Sequence, residues 1–327
     1  MQPVRPFAIR RTLAALALTL HAALYGCATP PLYTPTPEAE ARADRLLAEA
    51  LQNTPASLDQ LRQWAEQGEA VAQDRMALTF LSSPGDGTDP NHAQARSWLE
   101  RAAHQGYALA AARLGFLYEQ GLGTDRDLAQ ARHWYQLAAT QGNAAAAFNL
   151  AQLYTTGPEA DRDPAQAVHW LQQAANGGLA VAQFNLGAAY EHGTGVSPSP
   201  AAATRWYQAA VAQNHTKAML ALGTLYETGQ GLPADPAQAR QLYQRAMESG
   251  DAEGMLLLGR LYEFGRGVPQ DPATALQWYR QSADAGNWRA AGRLSNAYKL
   301  GELGLAPDPA LADHWYRAYL RLQLPSR

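Results

Sequence analysis

A single cysteine, Cys27, stands among the 327 residues, so the chain can form neither an intramolecular disulfide nor a multi-cysteine metal site. Charge is sparse too. Only 17% of residues are charged, against a usual ~25%, which argues against a disordered, tail-like chain, and the 47% that are hydrophobic supply faces to bury. The formal net charge of −3 leaves no basic excess with which to release counterions from phosphate, and nucleic acid is set aside as a partner. The sequence contains no His-Glu-x-x-His, no Gly-x-Ser-x-Gly elbow, no Walker loop and no Ser-x-x-Lys. Nothing here points to a catalytic residue, a cofactor or a metal.

Long apolar runs are also lacking. The longest, Thr12 to Gly26, is about fifteen residues and includes His21, short of the ~20 that a transmembrane helix needs. Arg5, Arg10 and Arg11 precede it, giving the basic and apolar regions of a secretory signal over residues 1–26. The run closes on Leu24-Tyr25-Gly26-Cys27, which resembles the bacterial lipobox, where the cysteine is lipidated and becomes the new N-terminus. An ordinary signal followed by an incidental thiol is the alternative. By the sorting rule of lipoproteins, Ala28 after the cysteine implies the outer membrane, with the body facing the periplasm. Residues 27–36 carry Pro30, Pro31 and Pro35 and read as an extended spacer of about 30 Å. Thr36-Pro37-Glu38 then has the form of a helix N-cap, a first-turn proline and a first-turn acid.

What the rest of the chain holds is a repeat. At a shift of 36, Leu114-Gly115 recurs as Leu150-Ala151, Leu186-Gly187, Leu222-Gly223, Leu258-Gly259 and Leu294-Ser295. Four residues after each leucine stands Tyr118, Tyr154, Tyr190, Tyr226, Tyr262 or Tyr298, and twenty after it Trp134, Trp170, Trp206, Leu242 or Trp278. Within a unit Ala110, Leu114, Leu117 and Tyr118 make one helical stripe, which Gly121 and Gly123 end. The second helix opens on Asp-Pro at Asp163, Asp235, Asp271 and Asp308, an N-cap acceptor followed by a residue with no N–H to leave orphaned. A helix pair of this size cannot bury its own apolar face, so neighbours must stack around one continuous core. The predicted fold is all-α, a right-handed α/α superhelical solenoid of 36-residue helix-turn-helix repeats. Its repeats span 71–307, with capping helices at 37–70 and 308–327.

The pattern Ala182, Leu186, Gly187, Tyr190, Gly193, Gly195, Ala203, Trp206, Tyr207, Ala210 resembles the Sel-one-like repeat, an α/α relative of the tetratricopeptide repeat, over roughly Ala72 to Tyr319. The resemblance implies the solenoid and a non-catalytic adaptor or scaffold, since members mostly hold other proteins; one is a periplasmic lipoprotein of the alginate-export machinery. Some cysteine-rich members are associated with penicillin binding, so a protein binding or hydrolysing a β-lactam or peptidoglycan is the alternative, weakened by the missing repeat disulfides. A purely structural spacer is a third reading.

Candidate partner-binding residues lie where the repeat leaves the side chain free. In related solenoids the exposed face of the first helix lines the groove. One such column is Phe116, Gln152, Ala188, Thr224, Arg260 and Asn296, and the next is Glu119, Thr155, Glu191, Glu227, Glu263 and Lys299. The glutamates can equally be ordinary solvated positions of the repeat. Phe116, Arg260 and Phe264 read as partner contacts, whereas Phe148 and Phe184 read as core. Trp288 replaces Ala108, Ala144, Ala180, Thr216 and Ala252 in register, and either covers the last seam or stands out as an anchor. His133, His169 and His314 precede repeat tryptophans and lie too far apart, by a helix each, to share a zinc. The expected partner is a protein or peptide of the cell envelope, with the membrane reached through lipid on Cys27.

Overall fold

The computed structural model describes residues 33–52, 54–82 and 90–323, and the signal, Cys27 and most of the spacer lie outside them. Among the described residues there are sixteen α-helices, one 3-10 turn and no strand. None of these helices is long and apolar enough to cross a membrane.

The chain falls into two compact units, Met1–Ala182 and Gln183–Arg327. Helices α1 (Pro37–Leu51), α2 (Pro55–Glu66), α3 (Ala70–Leu81), α4 (Pro90–His104), α5 (Ala108–Gln120), α6 (Leu128–Thr140), α7 (Ala144–Thr156) and α8 (Pro164–Asn176) belong to the first. The division falls inside α9 (Ala180–His192). The second continues with α10 (Pro200–Ala212), α11 (Thr216–Thr228), α12 (Pro236–Glu248), α13 (Ala252–Phe264), α14 (Pro272–Asp284), α15 (Trp288–Leu300) and α16 (Pro309–Gln323). Consecutive helices pack on one another from α3 to α8, and again from α10 to α16, so each unit is a stack of helical hairpins.

The local chemistry recurs from hairpin to hairpin. The predicted cap Thr36 accepts the Ala39 N–H at 3.2 Å. Asp163, Asp235, Asp271 and Asp308 each accept the two N–H groups that follow the proline, as with Ala165 and Gln166 at 3.0 Å from Asp163. The connecting loop is then drawn shut by one recurring bond. The N–H of the capping residue donates to the carbonyl of the repeat tyrosine, from Asp127 to Tyr118 at 2.9 Å through to Asp308 to Tyr298 at 2.8 Å.

One hairpin departs from the rule. Gly121, Gly229, Gly265 and Gly301 cap their helices in the left-handed conformation, but Gly157 after α7 has φ −62° and ψ 179°. Pro158 follows it, and a proline drives the residue before it into the extended region. The loop continues as a 3-10 turn over Glu159–Asp161, where the Asp161 carboxylate pairs with Arg132 at 3.1 Å.

The interior of the second unit holds Tyr207, Leu222, Leu225, Tyr243, Leu258, Leu261, Tyr279 and Leu294, all nearly free of solvent, with alanines between them. Phe184 is half-buried, packed against Tyr207 and stacked on His215 with ring centres 5.0 Å apart, in line with its reading as core.

Candidate functional site

The Leu-Gly dipeptide of the repeat carries a contact between helices. A Cβ on Gly115, Gly187, Gly223 or Gly259 would stand 2.5–2.6 Å from a ring carbon of Tyr135, Tyr207, Tyr243 or Tyr279 on the following helix. Each of these tyrosines is buried, packs its ring against the glycine, and sends its hydroxyl to the glutamate four residues beyond that glycine. The Tyr135 hydroxyl donates to Glu119 at 2.7 Å, Tyr207 to Glu191 at 2.5 Å, Tyr243 to Glu227 at 3.1 Å and Tyr279 to Glu263. The half-buried glutamates of the candidate column are therefore already engaged within their own hairpins. Burial, and after it the adjacent carboxylate, holds all four phenols well above their ordinary value of 10.

One of the hairpins without the glycine fits the same geometry. Where Ala151 stands for the glycine, Thr155 stands for the glutamate and Leu171 for the tyrosine, so three helix positions change together. Gly187→Ala should accordingly cost about 1–3 kcal/mol through overpacking. Adding Tyr207→Leu should recover part of that loss, as the Ala151–Leu171 hairpin does naturally. Urea unfolding of the two single variants and the double variant measures the coupling; strictly additive losses would contradict the contact.

The remaining members of the candidate columns differ in setting. In the first unit Phe116 is half-buried and Gln152 exposed. In the second, Thr224, Arg260 and Asn296 are exposed, and the Thr224 hydroxyl lies 3.4 Å from that of Tyr243. Trp288 covers the last seam and keeps part of its surface in solvent. Its ring centre is 5.7 Å from that of Tyr319, over the seam between α15 and α16, and it remains 38% exposed. His133, His169 and His314 each pack edge-on against the tryptophan that follows.

Arg260, Glu263 and Phe264 are brought together. They line an open recess of about 490 Å³ along with Glu253, Leu256, Tyr279, Arg289 and Arg293. Its walls come from α13, α14 and α15, so side chains of consecutive repeats face one space. Arg293 donates to both oxygens of Glu263 and to Glu302 at 2.6 Å, and Arg289 pairs with Glu253 at 3.0 Å. Burial opposes ionisation of Glu263, but the bonds from Arg293 and Tyr279 outweigh it and hold the carboxyl below its usual range. Burial likewise works against the Arg293 charge, and the Glu263 and Glu302 carboxylates reverse that and raise its pKa. Arg260 makes no hydrogen bond and no ion pair among the described residues. Sequence reasoning found Arg260, Glu263 and Phe264 but missed Glu253, Arg289 and Arg293, whose charges break no repeat signature. Among the described residues no cluster of three or more His, Cys, Asp or Glu is arranged to hold a metal ion.

A stack of helical hairpins with one register, whose free positions face solvent, defines an α/α solenoid repeat protein. The chain belongs to the Sel1 repeat family: the Sel1 repeat matches at residues 70–107, 108–143, 144–179, 180–215, 216–251, 252–287 and 288–318. Among solved structures it is similar to c5321, a protective antigen of uropathogenic Escherichia coli strains displaying an SLR fold, at 37% identity and a TM-score of 0.70 over 81% of this chain. That match spans 56% of the antigen's length. A Sel1 repeat protein from Oxalobacter formigenes is 34% identical, with a TM-score of 0.63 over 74% of this chain and 96% of its own. No significant match occurs among curated protein sequences. Sel1 repeats generally form non-catalytic scaffolds for protein–protein interaction.

Proposed function

We propose that this chain is a non-catalytic adaptor of the cell envelope, tethered to the outer membrane by lipid on Cys27 and holding a protein partner at the periplasmic face, in the assembly of an envelope or exopolysaccharide-export complex. The observation that carries the binding reading is the contrast between repeat positions. Those shared by all hairpins are buried or bonded inside the fold, whereas Arg260 and Phe264, which differ from hairpin to hairpin, stand exposed at an open recess. The tether rests on the sequence alone, on the only cysteine closing the only apolar leader. Lipid anchoring would add avidity by confining the adaptor and its partner to one surface.

Two measurements test the reading. A photo-crosslinking phenylalanine placed at Phe264 should capture one protein in intact envelopes, and the same group at exposed Gln166 should not; equal capture at both positions speaks against the recess. Cys27→Ser should abolish incorporation of labelled palmitate and move the protein from the membrane to the soluble fraction, because the acyl chains supply the membrane affinity. Retention of the serine variant in the membrane would contradict the anchor.

A further inference from the structure

On the basis of that scaffold reading, we infer that the recess of the second unit takes an extended acidic peptide segment, with an Asp or Glu carboxylate on Arg260 and a neighbouring apolar side chain on Phe264. Charge selects the acid. Three guanidinium groups line the recess, and two are neutralised, Arg289 by Glu253 and Arg293 by Glu263 and Glu302. Arg260 feels the charge of Glu263 but forms no hydrogen bond or ion pair with it, since the two Glu263 oxygens already accept from Arg293 and the Tyr279 hydroxyl. Arg260 is thus the guanidinium of the recess whose N–H groups are not already donated, and a planar guanidinium binds a carboxylate through two parallel bonds. A basic segment would meet acids that are already paired and a cation that is not.

The apolar half of the ligand follows from Phe264. Its ring is 55% exposed at the rim, with the Arg266 guanidinium over it at 5.4 Å. Arg266 is itself paired with Glu227, so it adds a flat, neutralised wall and no free charge. Neither residue is needed by the fold. Arg260 stands in register with Phe116, Gln152, Ala188, Thr224 and Asn296, and Phe264 with Gln120, Thr156, His192, Thr228 and Leu300, none of them charged like Arg260 or aromatic like Phe264 at the same position. Among the described residues only this hairpin places a cation without an ion pair four residues before an exposed ring, with both lining one recess.

Panning a random peptide library on the full chain, followed by fluorescence anisotropy with the enriched peptides, tests the inference. Enriched sequences should carry Asp or Glu within two residues of an aromatic or leucine. Arg260→Ala and Phe264→Ala should each weaken binding by about tenfold or more, the range of interface anchors, with helicity unchanged. Arg205→Ala, at an exposed arginine of α10, should leave it unaltered. Affinity should fall with added salt, and replacing the peptide acid by lysine should abolish binding to the native chain and restore it to Arg260→Glu. Enrichment of sequences without an acid, binding indifferent to Arg260→Ala, an absence of binders, or retention of a polyuronate in place of any peptide would each overturn the assignment. If binding is indifferent to Arg260 while the envelope cross-link at Phe264 persists, this ligand assignment fails and the scaffold reading stands.

Discussion

Asp74→Asn is expected to destabilise the first unit by about 3–5 kcal/mol, the cost of breaking a buried ionic network by removing one partner. Asp74 is 0% exposed. Its Oδ2 accepts from Arg75 and from Arg113, both also buried, and the Arg75 Nε donates to Asp44 at 2.7 Å. Arg75 further reaches the Tyr107 hydroxyl at 3.5 Å. Two acids and two guanidinium groups thus balance, and they join α1, α3 and α5. Burial by itself would depress the Arg75 pKa, but the Asp74 and Asp44 carboxylates more than offset it and raise the value. Asparagine preserves the shape and leaves two buried cations facing one exposed-side acid. Hydrogen exchange of peptides from α1, α3 and α5 would register the loss, and unchanged protection in Asp74→Asn would show that the network contributes little.

A second large effect is expected in alkali. The Tyr135, Tyr207, Tyr243 and Tyr279 phenols titrate well above 10 in the folded chain, for reasons of burial first and of the facing glutamates second. Burial also pushes Tyr107 up to about 12. In the unfolded chain these groups ionise near 10. Above that pH the unfolded state therefore binds fewer protons than the folded one, and stability falls with rising pH. It is fully present below pH 10. Each phenol removes about 1.4 kcal/mol per pH unit, so the four repeat tyrosines together remove roughly 5–6 kcal/mol per unit. Helicity by far-ultraviolet circular dichroism should collapse cooperatively between pH 10 and 12, with the phenolate absorbance of these tyrosines appearing in the same transition. Tyrosines that all ionise near pH 10 while the helices persist would rule this out. The quadruple Tyr→Phe variant should hold its helicity to higher pH, which separates these phenols from the other tyrosines.

Both effects turn on contacts that the sequence does not display, although each left a trace there. Asp74 occupies the register of Ala110, Ala146, Ala182, Ala218, Gly254 and Ala290, an acid where every other hairpin has the smallest side chains. Glu119 and Tyr135 recur sixteen residues apart in four hairpins and vanish together at Thr155 and Leu171. Helical periodicity places residues on one face of one helix, and it is silent about which face of the next helix they meet across a loop. The glutamates were therefore readable as a column and not as hydrogen-bond acceptors. Trp288 was readable as an intruder in a small-residue position, but the sequence does not show that Tyr319, thirty-one residues on, lies against it.

By itself the sequence determined the helices, their caps and the 36-residue register, because these depend on contacts within a few residues: an aspartate reaching the next N–H groups, a glycine accepting a left-handed turn, an apolar stripe every three or four positions. Tertiary structure alone decided which side chains remained available. Glu263 and Arg293 pair across two helices while Arg260 forms no ion pair, and Asp74 gathers two arginines from different hairpins. Charge pairing at a few ångströms depends on distances through space, which a one-dimensional register does not contain.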